Sequence, residues 1–311
     1  MANPYKERVL HLLQQKYGTI KSLPKTQSLF VVESLNIVLY FRYSKVFQHG
    51  KNGYKTFYGL RFEDLQFLQG KQAYIIFLSD MNNKSLVMPF SHIEHILTET
   101  TPSSDSQYKT LIFFKNTGTE IYIPQFVKFN AESYLGLESL LEFKNKNLIV
   151  PEISHTQAQI FIGAIGIYKG FDIFYPASDR IKIDLGIIDK RKMRNNLPYF
   201  HKDVQHIMEE IDCIWLDSTK IISLFEIEHS TPIYSGLLRF NDVNLTIANV
   251  NNFNIIANSE RENKFHKEIN RPTFKQNNLI EKVSFMTYSN LYYWYMNFKN
   301  TGVKHDILSK L

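Results

Sequence analysis

Residues 211–242 read IDCIWLDSTKIISLFEIEHSTPIYSGLLRFND, and this stretch decides the fold. Residues 211–216 are a compact apolar run, which Asp217-Ser218-Thr219-Lys220 interrupts as a turn does. In the second run, 221–228, Phe225 and Ile227 alternate with Glu226 and Glu228. A period of two predicts a strand with both glutamates on one face. A helix is expected over 233–243, with Leu237, Leu238 and Phe240 toward the core and Arg239 on its other side. Ser230 or Thr231 is the expected cap, and Pro232 falls in the first turn.

Two carboxylates side by side repel, and neither is buried without cost. Asp212, on the preceding strand, can point to the same place. Three carboxylates at the end of a hairpin make a hard, oxygen-rich site suited to Mg²⁺. The competing reading is a solvated face on an edge strand, since glutamates are mostly exposed. The setting of FEIE between apolar residues, with HSTPIYSGLLR directly after it, argues against that.

An Asp at the start of one strand, Glu-x-Glu on the next and then a helix resembles the PD-(D/E)xK nuclease superfamily. Within it, the pattern is most similar to the restriction-endonuclease branch in which Glu replaces the final Lys. The likeness covers roughly residues 155–298, and the string FEIEHSTPIYSGLLR is more specific than the acidic triplet alone. The resemblance implies that Asp212 and Glu226 are metal ligands and that Glu228 takes the place of the family lysine. Ile211 stands where the family usually has proline. His155-Thr156-Gln157-Ala158-Gln159 opens a helix expected over 155–169 and resembles the first helix of that family. There a polar residue often faces the metal, which makes Gln159 a candidate against the ordinary reading of a solvent-facing glutamine.

The rest of this half has the same rhythm. A strand is expected over 171–175, another over 254–258, a basic helix over 261–269, a strand over 283–287 and an aromatic helix over 291–298. The order helix, strand, strand, strand, helix, strand matches an αβββαβ core. The expected fold is therefore α/β (α+β), with a restriction-endonuclease-like core over 149–311 preceded by a mostly β domain over 1–148. The boundary falls in the polar stretch 142–152, EFKNKNLIVPE.

The first half carries helix signals over 4–17, stopped by Gly18, and over 62–68. Strands are expected over 29–33, 37–43, 54–60, 73–78 and 86–89, and a hairpin over 109–124; 98–107 reads as an exposed loop. Aromatic and basic residues interleave from Tyr40 to Arg61, among them Arg42, Lys45, Phe47, Lys51, Tyr54, Lys55 and Phe57. Nucleic-acid surfaces use this mixture for phosphate contact and stacking, so Arg42, Lys45, Lys51 and Lys55 are candidate DNA contacts. A sheet with one apolar and one solvated basic face gives the same pattern.

Residues 181–202 read as an irregular basic loop. Its Lys190, Arg191, Lys192 and Arg194, together with Arg239, are candidate phosphate contacts; a flexible solvated loop is the alternative. A helix over 201–210 is expected to bring Asp203 and Glu209 near Asp212.

At 311 residues, with 44% hydrophobic and 14% aromatic content, the chain supports two packed domains rather than disorder. A net charge of +6 and a pI near 9.0 suit a polyanionic partner. The single Cys213 excludes an internal disulfide and a cysteine-rich zinc site, and its apolar strand makes a buried thiol the expected role. The sequence lacks a membrane-length apolar run and a secretory leader pattern, and a cytoplasmic, prokaryote-like setting is expected. It also lacks HExxH, GxSxG and a phosphate-binding glycine loop, so no nucleotide cofactor is expected. The resemblance implies a Mg²⁺-dependent endonuclease cutting double-stranded DNA at a specific site, working as a homodimer. The alternatives are a non-catalytic nucleic-acid-binding protein on the same fold and a repair or resolving nuclease.

Overall fold

The computed structural model describes residues 3–23, 26–51, 53–98, 102–124, 127–143, 150–183, 188–230 and 232–300. Two compact units divide these residues: those up to Phe143 form one, and those from Val150 to Asn300 the other. The expectations that fall on 99–101, 144–149, 184–187 and Thr231 lie outside the described residues.

The first unit is an α+β unit built on two five-stranded sheets. One runs in the order Ile20–Ser22, Leu29–Val32, Ile37–Ser44, Ala73–Ser79, Leu86–Pro89. The other runs Val127–Asn130, Gly118–Ile123, Gln107–Lys115, Gly53–Arg61, Phe47–His49 and is antiparallel throughout. Helix Pro4–Tyr17 starts on Asn3, whose side chain accepts from the Tyr5 and Lys6 amides, and stops at Gly18, at φ 81°. A glycine there costs nothing that a larger residue would not. Sequence periodicity misses the helix Phe90–Thr98 and the short strands Ile20–Ser22 and Val127–Asn130. The strands are too short to show a period, and the helix begins directly after Leu86–Pro89 with no polar break between them.

The second unit is a six-stranded mixed sheet with helices on both faces. Its order is Met193–Arg194, Asp172–Phe174, Cys213–Asp217, Lys220–Ile227, Phe253–Ala257, Val283–Thr287. The hairpin Cys213–Asp217/Lys220–Ile227 is antiparallel, and Ser218 at its tip has φ 56°. The two strands that follow pair in parallel, each reached through a helical crossover. Cys213, Trp215, Phe225 and Ile227 pack with Ile162 and Ile165 of helix His155–Tyr168 and with Leu291 and Trp294 of helix Tyr288–Asn300. Ile214, Leu216 and Leu224 face the opposite way, against Leu237 and Phe240 of helix Ile233–Thr246 and Phe265 of helix Glu262–Ile269. Cys213 is fully buried.

The strand carrying Glu226 and Glu228 thus lies inside the sheet with a neighbour on each side, and the solvated-edge reading does not hold. Three other expectations need correction. Pro232 is itself the cap residue of helix Ile233–Thr246 and makes no side-chain cap bond; its carbonyl instead accepts from the Ser235 hydroxyl. The helix expected over 201–210 shrinks to Gln205–Met208. Asp203 sits by His201 and Glu209 by Gln205, and neither is hydrogen-bonded to Asp212. The segment 188–194 is not a free basic loop, as set out below.

Candidate functional site

The site forms where the hairpin strands reach the end of the sheet. Cys213 stands opposite Phe225, so the ladder sets Asp212 across from Glu226. The Asp212 carboxylate accepts from the Ile227 amide at 2.7 Å through Oδ2, and its Oδ1 lies 3.2 Å from His155 Nε2. From Leu224 onward the even residues of the strand turn toward helix Ile233–Thr246, so Glu226 follows Leu224 onto that face and Glu228 continues it. Each glutamate is 1% exposed.

That helix comes unusually close. A Cβ on Gly236 would lie 2.6 Å from Glu228 Oε1 and 3.3 Å from Glu226 Cβ, so a larger residue there would have to displace the Glu228 carboxylate. One turn on, Arg239 forks onto Glu226, with Nε to Oε1 at 2.8 Å and Nη2 to Oε2 at 2.7 Å. The Glu226 pKa is pushed up to about 8 in all: burial raises it most, the Arg239 pair pulls it down, and the charges of Asp212 and Glu228 add to the rise. Arg239 therefore does not project from the far side of its helix; it reaches back to pair with a buried acid. Arg261 donates to the backbone carbonyls of Glu228 and His229, which ties the end of the strand to the next crossover.

Gln159 is fully buried rather than solvent-facing. Its Nε2 donates to Asp179 Oδ2 at 2.9 Å and to the Asp212 carbonyl at 3.2 Å. The helix that carries it opens with a capping box, Ser154 bonding the Gln157 amide and Gln157 bonding back to the Ser154 amide. That box sets His155 as the first helical residue, beside Asp212, whose hydrogen bond raises the His155 pKa. Asp179, on the short helix Ala177–Arg180, completes the group, and one ligand atom from each of His155, Asp179 and Asp212 lies within 4.8 Å of the others. Sequence reasoning missed Asp179 and gave His155 no role. Neither sits in a local motif; they meet Asp212 only through the packing of the first helix and the segment after strand Asp172–Phe174.

The basic candidates are mostly engaged. Arg194 and Lys192 both pair with Asp172, and Arg191 pairs with Asp189 at 2.8 Å. Asp172 ties the segment to strand Asp172–Phe174, where Met193–Arg194 pairs as a two-residue strand, while Asp189 caps the short helical turn Lys190–Lys192. Lys190 is exposed. In the first unit, Arg42 lies in the first sheet over the Tyr40 ring, while Lys55 lies in the second sheet opposite Phe47 of the edge strand. Lys45 and Lys51 are exposed on the connections around that edge strand. The four are thus divided between two sheets and their loops.

The profile of one protein family, described as the type II restriction enzyme NmeDI C-terminal domain, matches residues 140–311. The chain belongs to that family. The same match includes Asp212, Glu226, Glu228, Gln159 and Arg239 and leaves out the two-sheet unit. The type II restriction enzyme NmeDI of Neisseria meningitidis serogroup C is 36% identical over 132 residues, which cover 39% of this chain and 37% of that enzyme. The chain thus spans well under half the length of this relative. No solved structure matches the chain significantly. No helix among the described residues is long and apolar enough to cross a membrane.

Proposed function

We propose that this chain is a metal-dependent endonuclease of restriction type, hydrolysing phosphodiester bonds of double-stranded DNA with Asp212, Glu226 and Glu228 at its centre. The observation that carries the reading is the placement of two buried acids, Glu226 on an interior strand with Asp212 opposite and Glu228 just past its end, in a family named for a restriction enzyme. Burying two adjacent acids is costly and has no use in a merely structural sheet. Even with an arginine on both oxygens, burial keeps the Glu226 pKa above the ordinary carboxylate range, and a bound cation would favour its ionised form.

The donor set fits a hard divalent ion such as Mg²⁺. Asp212 and Glu226 would hold it, Glu226 exchanging the Arg239 fork for the ion. When bound, the ion would neutralise charge on the scissile phosphate and lower the pKa of a water. Glu228 would accept the proton from that water, in the variant of the PD-(D/E)xK pattern that has Glu for Lys. Arg239, once released, stands beside the same phosphate and would offset part of its charge. Cutting two strands calls for two such sites, hence a homodimer. The exposed Lys190 and the lysines of the first unit would contact the backbone from outside the centre.

A second reading has one observation in its favour. Arg239 already occupies both oxygens of Glu226, which suits a protein that keeps the fold and binds DNA without cutting it. Supercoiled plasmids carrying many short sequences, incubated with the chain and Mg²⁺ or Mn²⁺, decide between them. Discrete linear fragments that vanish with EDTA are expected. Retarded but intact DNA under all metals would establish the binding-only reading.

The two units are expected to divide the work. A chain of residues 150–311 should fold on its own sheet, cut DNA with metal and lose sequence preference. Cleavage of the same sites as the full chain would show that the first unit is not the reader.

A further inference from the structure

We propose that His155, Asp179 and Asp212 form a divalent-cation position of their own. It lies beside the Glu226/Glu228 pair, shares only Asp212 with it, and prefers transition-metal ions of the Mn²⁺ class to Mg²⁺. The position stands apart from the nuclease reading, and only the shared use of Asp212 in the reaction rests on that reading.

The geometry is the first support. Ligand atoms all within 4.8 Å of one another can share one ion, since metal bonds of about 2.0–2.3 Å place opposite ligands roughly twice that distance apart. Each ligand comes from a separately fixed piece of backbone. His155 is held by the capping box, Asp179 by its short helix, and Asp212 by the Ile227 amide on its second oxygen. That bond directs Asp212 Oδ1 to the His155 ring. Asp179 has its other partner in Lys182, whose side chain is 61% exposed and free to swing into solvent.

The second support is a buried side chain outside the ligand group. The Gln159 amide is 0% exposed and faces the cluster, with Nε2 on both Asp179 Oδ2 and the Asp212 carbonyl. Those two acceptors fix which end of the amide is nitrogen. Its Oε1 is then sealed from solvent with no hydrogen-bond partner among the described residues. A buried amide oxygen without a donor has lost its water and gained nothing in return. A cation at the cluster brings water, and that water supplies the missing donor. Gln159 then serves as an outer partner that orients Asp179 and a metal-bound water together.

The ligand set gives the selectivity. Two carboxylates accept any hard divalent ion, but an imidazole nitrogen is a poor ligand for Mg²⁺ and a good one for transition metals. The acid pair on the neighbouring strand offers oxygen alone. One chain would thus hold two positions of different preference, joined through Asp212.

Mn²⁺ titrated into the full chain, followed by electron paramagnetic resonance, tests the proposal. A saturable site is expected, with echo modulation from one directly bound nitrogen. His155→Gln should abolish the nitrogen signal, Asp179→Asn should weaken Mn²⁺ binding at least tenfold, and Gln159→Leu should weaken it roughly 10–100-fold. Glu226→Gln should leave the nitrogen signal in place, and Mg²⁺ in large excess should displace Mn²⁺ poorly. All four substitutions are close in size to the native side chain, and circular dichroism will show that each variant is folded. No nitrogen modulation in the unmodified chain, or unchanged Mn²⁺ affinity in both His155→Gln and Asp179→Asn, would overturn the position. Loss of cleavage in Asp212→Ala, in a protein whose unmodified chain gives no nitrogen signal, overturns this proposal and leaves the nuclease reading. A nitrogen signal in a chain that cuts no DNA does the reverse.

Discussion

Asp212→Ala is expected to stop DNA cleavage, with a fall in single-turnover rate on the order of 10³-fold or more, while DNA affinity in the absence of metal changes little. A metal that neutralises a scissile phosphate supplies several kcal/mol, and each 1.36 kcal/mol is about a factor of ten. Asp212 is central to both candidate metal positions, opposite Glu226 in the ladder and next to His155 and Asp179. The alanine also leaves the Ile227 amide without its acceptor, at a cost of about 1–3 kcal/mol. Asp212→Asn separates the two effects. Its amide oxygen still accepts from Ile227, so stability should recover, but a neutral ligand holds a divalent ion weakly, so the rate should not. Denaturant unfolding and rapid-quench cleavage of both variants check this. A near-normal metal-dependent rate in Asp212→Asn would take Asp212 out of the chemistry.

Glu228→Lys puts the usual residue of the resembled superfamily into this chain, and the expected result is loss of activity rather than gain. Glu228 is buried, and Gly236 leaves no room beside its Oε1. A lysine there adds length against the helix backbone and, on the proposed reading, would remove an oxygen ligand and set a positive charge beside the metal position. Glu228→Gln keeps the shape and removes the proton acceptor. Both variants should lose roughly 10²–10⁴-fold in single-turnover rate at saturating Mg²⁺, the range for removing a general acid or base. Lysine should in addition lower stability, which glutamine should not. If both cut DNA at nearly the normal rate, Glu228 is a packing residue and the site reduces to Asp212 and Glu226.

The amino-acid sequence by itself determined the elements around the hairpin. The apolar run 211–216, the Asp-Ser-Thr-Lys turn and the FEIE alternation are short-range patterns, and local backbone physics converts them directly into strand, turn and strand. The same holds for the helix after Pro232, the strand Val283–Thr287 and the helix Pro4–Tyr17 with its glycine stop. That Glu226 and Glu228 share a face also follows from the period of two. What lies against that face does not. Arg239 is three residues past Gly236 on a helix whose pattern sets only its apolar side, and its approach to Glu226 depends on how closely that helix crosses the sheet. The pairing of Arg194 and Lys192 with Asp172 likewise comes from a strand-strand neighbourhood 20 or more residues apart. His155, Asp179 and Asp212 are the extreme case. Separated by 24 and 33 positions, they share no periodicity, and only tertiary packing brings an imidazole and two carboxylates within reach of one ion.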